Sequence, residues 1–148
     1  VYVQTYNPDH YAVEAASEHD YDAFAQQELT IRDELAYPPH GHLIAVKFES
    51  ESNARATQAA REYATAARKI LRHDDELGSS VFMLGPAVAP LSKLKGRSRW
   101  QLLLKSRQRP RLRQLTGQML SQVGYFDRSD SRYRDVRIIV DVDPMSLL

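Results

Sequence analysis

A run of lysines and arginines in the middle of the chain is the part best suited to bind an anion. Positions 93–113 hold nine basic residues, whereas positions 77–126 contain no Asp or Glu. The members of this basic stretch are Lys93, Lys95, Arg97, Arg99, Lys105, Arg107, Arg109, Arg111 and Arg113. Positions 1–76 carry 14 acidic against 7 basic residues, so the net charge of +1 conceals a strong local field. Such a patch favours phosphate backbones or acidic peptides, and a merely solvated basic face is the alternative.

The alternation of residue types predicts that the basic stretch begins as a half-buried strand. Every second residue would pack against helices, with Trp100 as a core residue and not a base-stacking platform: Ser98, Trp100, Leu102 and Leu104. The residues between them would line an open face of the sheet: Arg97, Arg99, Gln101, Leu103 and Lys105. Arg97 and Gln101 share this face and lie about 13 Å apart at ~3.3 Å per residue. That spacing suits an extended peptide of about four residues, or two successive phosphates.

Other constellations of reactive residues are weak, and they predict no active site in this chain. No phosphate-binding loop, dinucleotide-binding turn or nucleophile elbow occurs. The chain has no cysteine, which excludes disulfides and thiolate metal sites. His40 and His42 lack a third nearby ligand, so loop hydrogen bonding is expected of them in place of metal binding. Asp141 and Asp143 could act as paired carboxylates, but pairing with Arg137 or with the basic stretch is the preferred interpretation.

Local patterns place these residues on strands and helices that follow one another in a simple order. Asp20 and Ser52 are predicted helix N-caps, and the second helix should end before Pro38. The predicted elements are a strand at Val1–Thr5, helices at about 10–17 and 21–35, a strand at 42–50, a helix at 53–72, a polar loop at 73–80, a strand from 81, the basic strand, a helix at about 107–123 and a last strand at 136–143. The order from His42 onward predicts an α+β fold of the split β-α-β, ferredoxin-like kind. This fold is a four-stranded antiparallel sheet with helices on one face.

Length and hydropathy indicate one domain in a protein without a membrane segment. The 148 residues are 43% hydrophobic, which is enough for one core. No apolar run approaches the ~18 residues of a membrane span, and no signal peptide is visible, so a cytoplasmic location is expected. The chain starts at Val1 without a Met, and we interpret it as a fragment of a longer polypeptide.

Short pieces spread along almost the whole chain resemble the C-terminal part of a known family. In chain order they are Val3-Gln4-Thr5, Asn7-Pro8-Asp9-His10, Asp20-Tyr21-Asp22-Ala23-Phe24, Gln27-Glu28-Leu29, Tyr37-Pro38-Pro39, Leu84-Gly85-Pro86-Ala87, Gly96-Arg97-Ser98-Arg99-Trp100-Gln101-Leu102-Leu103 and Asp141-Val142-Asp143-Pro144. Each piece alone is a weak signal, but their common order is specific. The family is that of primosomal protein N′, the replication-restart DNA helicases called PriA.

The resemblance implies a division of the chain and a set of partners. Residues 1–40 look like the end of the second helicase motor lobe with its connecting helices. Residues 41–148 look like the C-terminal DNA- and partner-binding domain, whose fold is similar to that of a ribosomal small-subunit protein. The family couples ATP hydrolysis to 3′-5′ unwinding at abandoned forks, and its ATP and magnesium sites and zinc-binding cysteines are expected upstream of Val1. The implied partners are forked or single-stranded DNA, single-stranded DNA-binding protein and other primosome proteins.

The resemblance also assigns roles to two residues of the basic strand. In the family, the residues that match Arg97 and Gln101 help to bind the acidic C-terminal tail of single-stranded DNA-binding protein. The cations expected to contact DNA are Lys93, Lys95, Arg97, Arg99, Lys105, Arg107 and Arg109. A free-standing RNA-binding or ribosome-associated domain is the first alternative, and the segment Val1–Leu35 argues against it. A small-molecule enzyme is the second, and it lacks a convergent polar pocket in the sequence.

Overall fold

The computed structural model describes residues 2–124 and 133–145. The predicted N-caps form, because Asp20 Oδ1 accepts from the Ala23 N–H at 2.9 Å and Ser52 Oγ accepts from the Arg55 N–H at 3.4 Å. In chain order the elements are α1 (Tyr11–Glu18), α2 (Tyr21–Glu34), β1 (His42–Ser50), α3 (Asn53–His73), α4 (Asp75–Ser80), β2 (Phe82–Leu94), β3 (Arg97–Ser106), α5 (Arg109–Gln122) and β4 (Arg137–Val142).

The four strands form one antiparallel sheet in the order β2-β3-β1-β4. Strand β3 is inserted between β1 and β2, the two strands that α3 joins. Strand β1 is likewise inserted between β3 and β4, which α5 joins, so two split β-α-β units interlock. The predicted α+β fold with a four-stranded antiparallel sheet is confirmed.

The core lies between one face of the sheet and the helices α3 and α5. Alanines dominate the inner face of α3, so the helix backbone can approach the sheet closely. Tyr63 of α3 is fully buried, and its ring meets that of Phe48 edge-on with the ring centroids 5.1 Å apart. Strands β1 and β3 contribute Ile44, Val46, Phe48, Leu102 and Leu104 to this core, and α5 contributes Leu112, Leu115, Met119 and Leu120.

Two local predictions differ from the structure. Residues 2–5 form no strand and are exposed, because a strand needs a hydrogen-bonded neighbour and the described residues place none beside them; Val1 lies outside the described residues. The prediction of a polar loop at 73–80 is wrong, because residues 75–80 form helix α4. Asp74 Oδ1 caps this helix by accepting from the Leu77 N–H at 3.0 Å. Leu77 is fully buried in the core, and its burial offsets the weak helix propensity of the Gly-Ser-Ser that follows.

The N-terminal helices pack on each other and reach the sheet through a tight turn. Tyr11 of α1 stacks with Phe24 of α2 at 6.2 Å between ring centroids. Glu28 interrupts the apolar stripe of α2. Its carboxylate accepts hydrogen bonds from the Tyr11 hydroxyl and from Arg32 Nε. A Cβ at Gly41 would lie 2.1 Å from the carbonyl oxygen of Ala36, so the turn into β1 admits only glycine. The proposed domain boundary near residue 40 stays a prediction.

Candidate nucleic-acid and peptide interface

Strand β3 carries the first half of the basic stretch through the interior of the sheet. Leu102 and Leu104 are buried on the side of α3 and α5, as the alternation predicts. Trp100 packs against the same core, and its Nε1 donates to Asn53 Oδ1 at 3.0 Å. Trp100 thus packs towards the core, as predicted, and its side chain is partly buried there.

The turn between β2 and β3 presents the most accessible cations of the basic stretch. Lys95 and Gly96 form a two-residue loop with φ of 48° and 79°, the pattern of a type I′ hairpin turn. Lys93 and Lys95 are exposed, and neither pairs with an acid in the parts of the chain that the structure describes. Since Arg97 follows at once, three cations lie within five residues at this end of the sheet. We call Lys93, Lys95 and Arg97 the hairpin cations.

The side chain of Arg99 is buried, although the alternation of residues in β3 predicts it on the open face of the sheet. It is only 7% exposed, and its Nε donates to Glu49 Oε1 at 3.1 Å across the β1–β3 pair. Its Nη1 donates to the carbonyl oxygen of Leu91 at 3.4 Å. Leu91 can reach it because the register of β2 against β3 shifts between Val88 and Lys93. The expectation of an exposed Arg99 is thus corrected.

Arg97 and Gln101 lie on the same face of β3, as predicted, and their surroundings differ. The Arg97 side chain is 41% exposed, and its Nη2 lies 3.7 Å from Glu51 Oε1. Gln101 is partly buried opposite Lys47, whose Nζ is 3.0 Å from Asp141 Oδ2. The buried Oε1 of Gln101 has no hydrogen-bond partner among the residues that the structure describes. The pair therefore consists of an accessible guanidinium and a partly buried amide.

The next two cations hold the N-terminal segment against the sheet. Lys105 Nζ donates to the carbonyl oxygen of Leu35 at 2.7 Å and lies 5.1 Å from the centroid of the Tyr37 ring. Arg107 donates from Nη1 to Asp33 Oδ1 at 2.8 Å and from Nη2 to the Asp33 carbonyl oxygen at 2.6 Å. The hydrogen bond from Arg107 holds the pKa of Asp33 below its ordinary value. Both cations thus have partners within the chain.

Two of the three remaining cations, Arg109 and Arg111 of α5, pair with acids at the far end of the sheet. Arg109 Nη2 is 3.0 Å from Asp143 Oδ2, and Asp143 Oδ1 accepts from the Leu43 N–H at 3.0 Å. Arg111 forms an ion pair with Glu76. The prediction that Asp143 pairs with the basic stretch is confirmed, whereas Asp141 pairs with Lys47 and not with Arg137.

A second group of arginines near Arg97 was missed by the analysis of the sequence. Arg55 at the start of α3, Arg134 in the turn before β4 and Arg137 at the start of β4 line a cleft together with Arg97. The sequence places these residues in a capped helix, a polar loop and a strand, which are far apart in the chain. The pairing of β1 with both β3 and β4 brings them to one end of the sheet.

Metal-binding clusters and membrane-spanning helices were sought among the described residues. Within residues 2–124 and 133–145, no three His, Cys, Asp or Glu residues are grouped so that they could hold a metal ion. Over the same ranges, no helix has the length and apolar character needed to cross a membrane.

Comparison with known proteins connects this arrangement to one family. Residues 33–145 match the family described as "Primosomal protein N C-terminal domain". The replication restart protein PriA of Bacillus subtilis is 29% identical over 148 residues, which are 100% of this chain and 17% of that protein. The protein of the same name from Treponema pallidum is 34% identical over 148 residues, covering 100% of this chain and 20% of the relative. The probable replication restart protein PriA of Deinococcus radiodurans is 33% identical over 145 residues, 97% of this chain and 14% of the relative. The chain therefore spans about a fifth or less of the length of these relatives.

Proposed function

The chain belongs to the Primosomal protein N C-terminal domain family, and from this membership we propose that it is the DNA- and partner-binding domain of a replication-restart protein. The observation that carries the proposal is the hairpin between β2 and β3. Lys93 and Lys95 stand exposed beside Arg97, and neither lysine pairs with an acid within the described ranges. Cations without internal partners are free to replace the counterions of a phosphate backbone.

We propose that forked or single-stranded DNA contacts the hairpin cations first. Arg97 keeps only a long, exposed contact with Glu51, which costs little to exchange for a phosphate. Lys105, Arg107 and Arg109 also carry positive charge towards DNA, but each already contacts a carbonyl oxygen or a carboxylate of this chain. Their contribution is therefore a long-range attraction more than a direct contact. Arg99 is buried and paired with Glu49, so it is not among the proposed DNA contacts.

The proposed peptide partner is the acidic C-terminal tail of single-stranded DNA-binding protein. The guanidinium of Arg97 can form a bidentate hydrogen-bonded pair with a carboxylate, and 41% of its side chain is accessible. Gln101 lies on the same face of β3 and is partly buried there, opposite Lys47 of β1. A peptide running along this face would meet the charge at one end and the amide about 13 Å away at ~3.3 Å per residue.

The activity of the whole protein is a further proposal, placed outside this chain. We propose a cytoplasmic ATP-dependent helicase that works with other primosome proteins, in accord with the family resemblance. Zinc does not fit the residues present, because the chain has no cysteine and its described parts hold no cluster of metal-binding side chains. ATP and magnesium likewise lack a phosphate-binding loop in this sequence.

The experiment is a titration of labelled forked DNA, single-stranded DNA and an RNA strand with the purified chain, followed by fluorescence anisotropy at several salt concentrations. We expect log K to fall with log salt by about 0.7 to 0.9 for each phosphate contacted. The double variant Lys93→Gln/Lys95→Gln should bind DNA more weakly and with a shallower slope. The matched control is Lys69→Gln/Arg72→Gln, which removes two exposed charges from α3.

Three results would contradict the proposal. A DNA affinity that does not change with salt concentration would show that phosphate contacts do not contribute to binding. Equal loss in the hairpin and control variants would assign the affinity to diffuse charge. A clear preference for RNA would favour the free-standing RNA-binding alternative.

A further inference from the structure

A cleft of about 390 Å3 opens at the end of the sheet where β1 leads into α3 and β4 begins. Four arginines from separate parts of the chain line it: Arg55, Arg97, Arg134 and Arg137. Of these, only Arg97 belongs to the basic stretch. The cleft is therefore a second concentration of guanidinium groups, assembled by the tertiary structure.

Two acids in the cleft orient part of this group but do not neutralise it. Arg55 Nη1 lies 2.9 Å from Asp135 Oδ2, and Arg97 Nη2 lies 3.7 Å from Glu51 Oε1. Both acids are well exposed, so these contacts contribute little stability and exchange readily. Arg134 and Arg137 are exposed and form no ion pair with any residue in the described ranges. The cleft thus holds two more cations than anions.

The position of Arg55 adds to the imbalance. Helix α3 has 21 residues and carries no acid in its first turn, where Arg55 lies. A cation at that end opposes the helix dipole, which favours negative charge there. A residue that opposes the usual structural preference of its position often belongs to a functional site. A bound anion would offset both the dipole and the clustered guanidinium charge.

The walls of the cleft decide which anion fits. Apart from Val136, every residue that lines it is polar or charged, including the hydroxyl groups of Ser50 and Ser52. An acidic peptide with apolar side chains would need an apolar recess beside its carboxylates, and Val136 is the single apolar residue in these walls. A phosphodiester needs only cations and hydrogen-bond donors, which arginine supplies as a planar fork.

We propose that this cleft binds phosphates of the nucleic-acid backbone, continuing the path of DNA from the hairpin cations past Arg97 to the start of β4. The inference rests on the proposed binding of DNA by this domain. It adds Arg55, Arg134 and Arg137 to the DNA interface. The site contacts backbone and not bases, so its contribution is independent of DNA sequence.

The test is the double variant Arg134→Gln/Arg137→Gln, titrated with labelled single-stranded DNA at several salt concentrations. Loss of two phosphate contacts should flatten the salt dependence by about 1.4 in log K per log salt, at ~0.7 per contact on a single strand. We expect affinity at low salt to fall about tenfold or more. The control Lys69→Gln/Arg72→Gln makes the same change of charge on α3, outside the cleft, and should retain most of the affinity.

The other arms separate the possible failures. If the cleft variant binds as wild type while Lys93→Gln/Lys95→Gln loses affinity, the cleft assignment falls and the proposed function stands. If the cleft and control variants lose affinity equally, diffuse charge explains binding and the cleft assignment also falls. If the cleft variant loses as much affinity for a synthetic acidic tail peptide as for DNA, the cleft is a peptide site. If the wild-type chain binds no DNA, both proposals fall.

Discussion

Arg99 and Glu49 face each other across strands β3 and β1, with Arg99 Nε donating to Glu49 Oε1 at 3.1 Å. The side chains are only 7% and 12% exposed. A pair so well shielded from water depends on both partners, because the loss of one leaves a buried charge uncompensated. The arginine that the sequence suggested as a DNA contact is therefore part of the internal structure of the sheet.

Replacing Glu49 should destabilise the protein much more than replacing an exposed acid beside it. Glu49→Gln leaves the Arg99 guanidinium buried without its counter-charge, and we expect the free energy of unfolding to fall by about 3–5 kcal/mol. The control Glu51→Gln removes an acid that is 83% exposed and should cost less than about 1 kcal/mol. Urea unfolding followed by circular dichroism measures both. Similar small losses would show that the buried pair is not a structural requirement.

Replacing Arg97 should weaken binding of the acidic tail, whereas replacing Arg113 should not. Arg97→Ala removes a charge-assisted hydrogen bond of about 1.5–3 kcal/mol, which corresponds to roughly 10- to 100-fold weaker binding. Arg113→Ala removes an exposed cation of α5, outside the face of β3 that carries Arg97, and should change the affinity little. Titration of a labelled tail peptide against both variants compares them. Equal losses would assign peptide binding to diffuse charge and withdraw the roles of Arg97 and Gln101.

The carboxyl group of Asp33 should titrate below its ordinary pKa of 3.8, because Arg107 donates a hydrogen bond to it and stabilises its charged form. A folded-state pKa that is lowered contributes stability above the unfolded value, and this contribution is lost as the pH falls through the folded value. The contact between α2 and Arg107, in the connection between β3 and α5, should therefore persist at neutral pH and weaken only below about 3.8. Carboxyl carbon NMR measures the titration. In Arg107→Gln the pKa should return towards 3.8, and an unchanged pKa would refute the role of Arg107.

Helix α4 should be anchored by a single apolar side chain. Leu77 is fully buried, so Leu77→Ala should lower the free energy of unfolding by about 2–5 kcal/mol through lost burial and a residual cavity. Leu29→Ala, at a leucine that is 43% exposed on α2, is the matched control and should cost about 1 kcal/mol or less. Chemical denaturation compares the two. Equal effects would mean that α4 is not held to the core by Leu77.

The local pattern of residues was sufficient to predict most of the helices and strands that form, but not the absence of a strand at residues 2–5 or the presence of helix α4. Alternation in β3 correctly separated Leu102 and Leu104 from Arg97 and Gln101, because neighbouring side chains of a strand point to opposite faces. The caps at Asp20 and Ser52 were also predictable from local sequence, because a capping side chain bonds a backbone group two or three residues away. The charge of the basic stretch is likewise a property of the sequence alone.

The tertiary structure decided which of those charges remain available. Arg99 is removed from the surface by Glu49, which lies 50 residues away, and by an irregularity in β2 that brings the Leu91 carbonyl oxygen over it. Arg107 is occupied by Asp33, 74 residues away. The arginine cleft combines the starts of α3, β3 and β4. These relationships depend on strand order and register, which arise from packing between distant segments and leave no periodic trace in the local sequence.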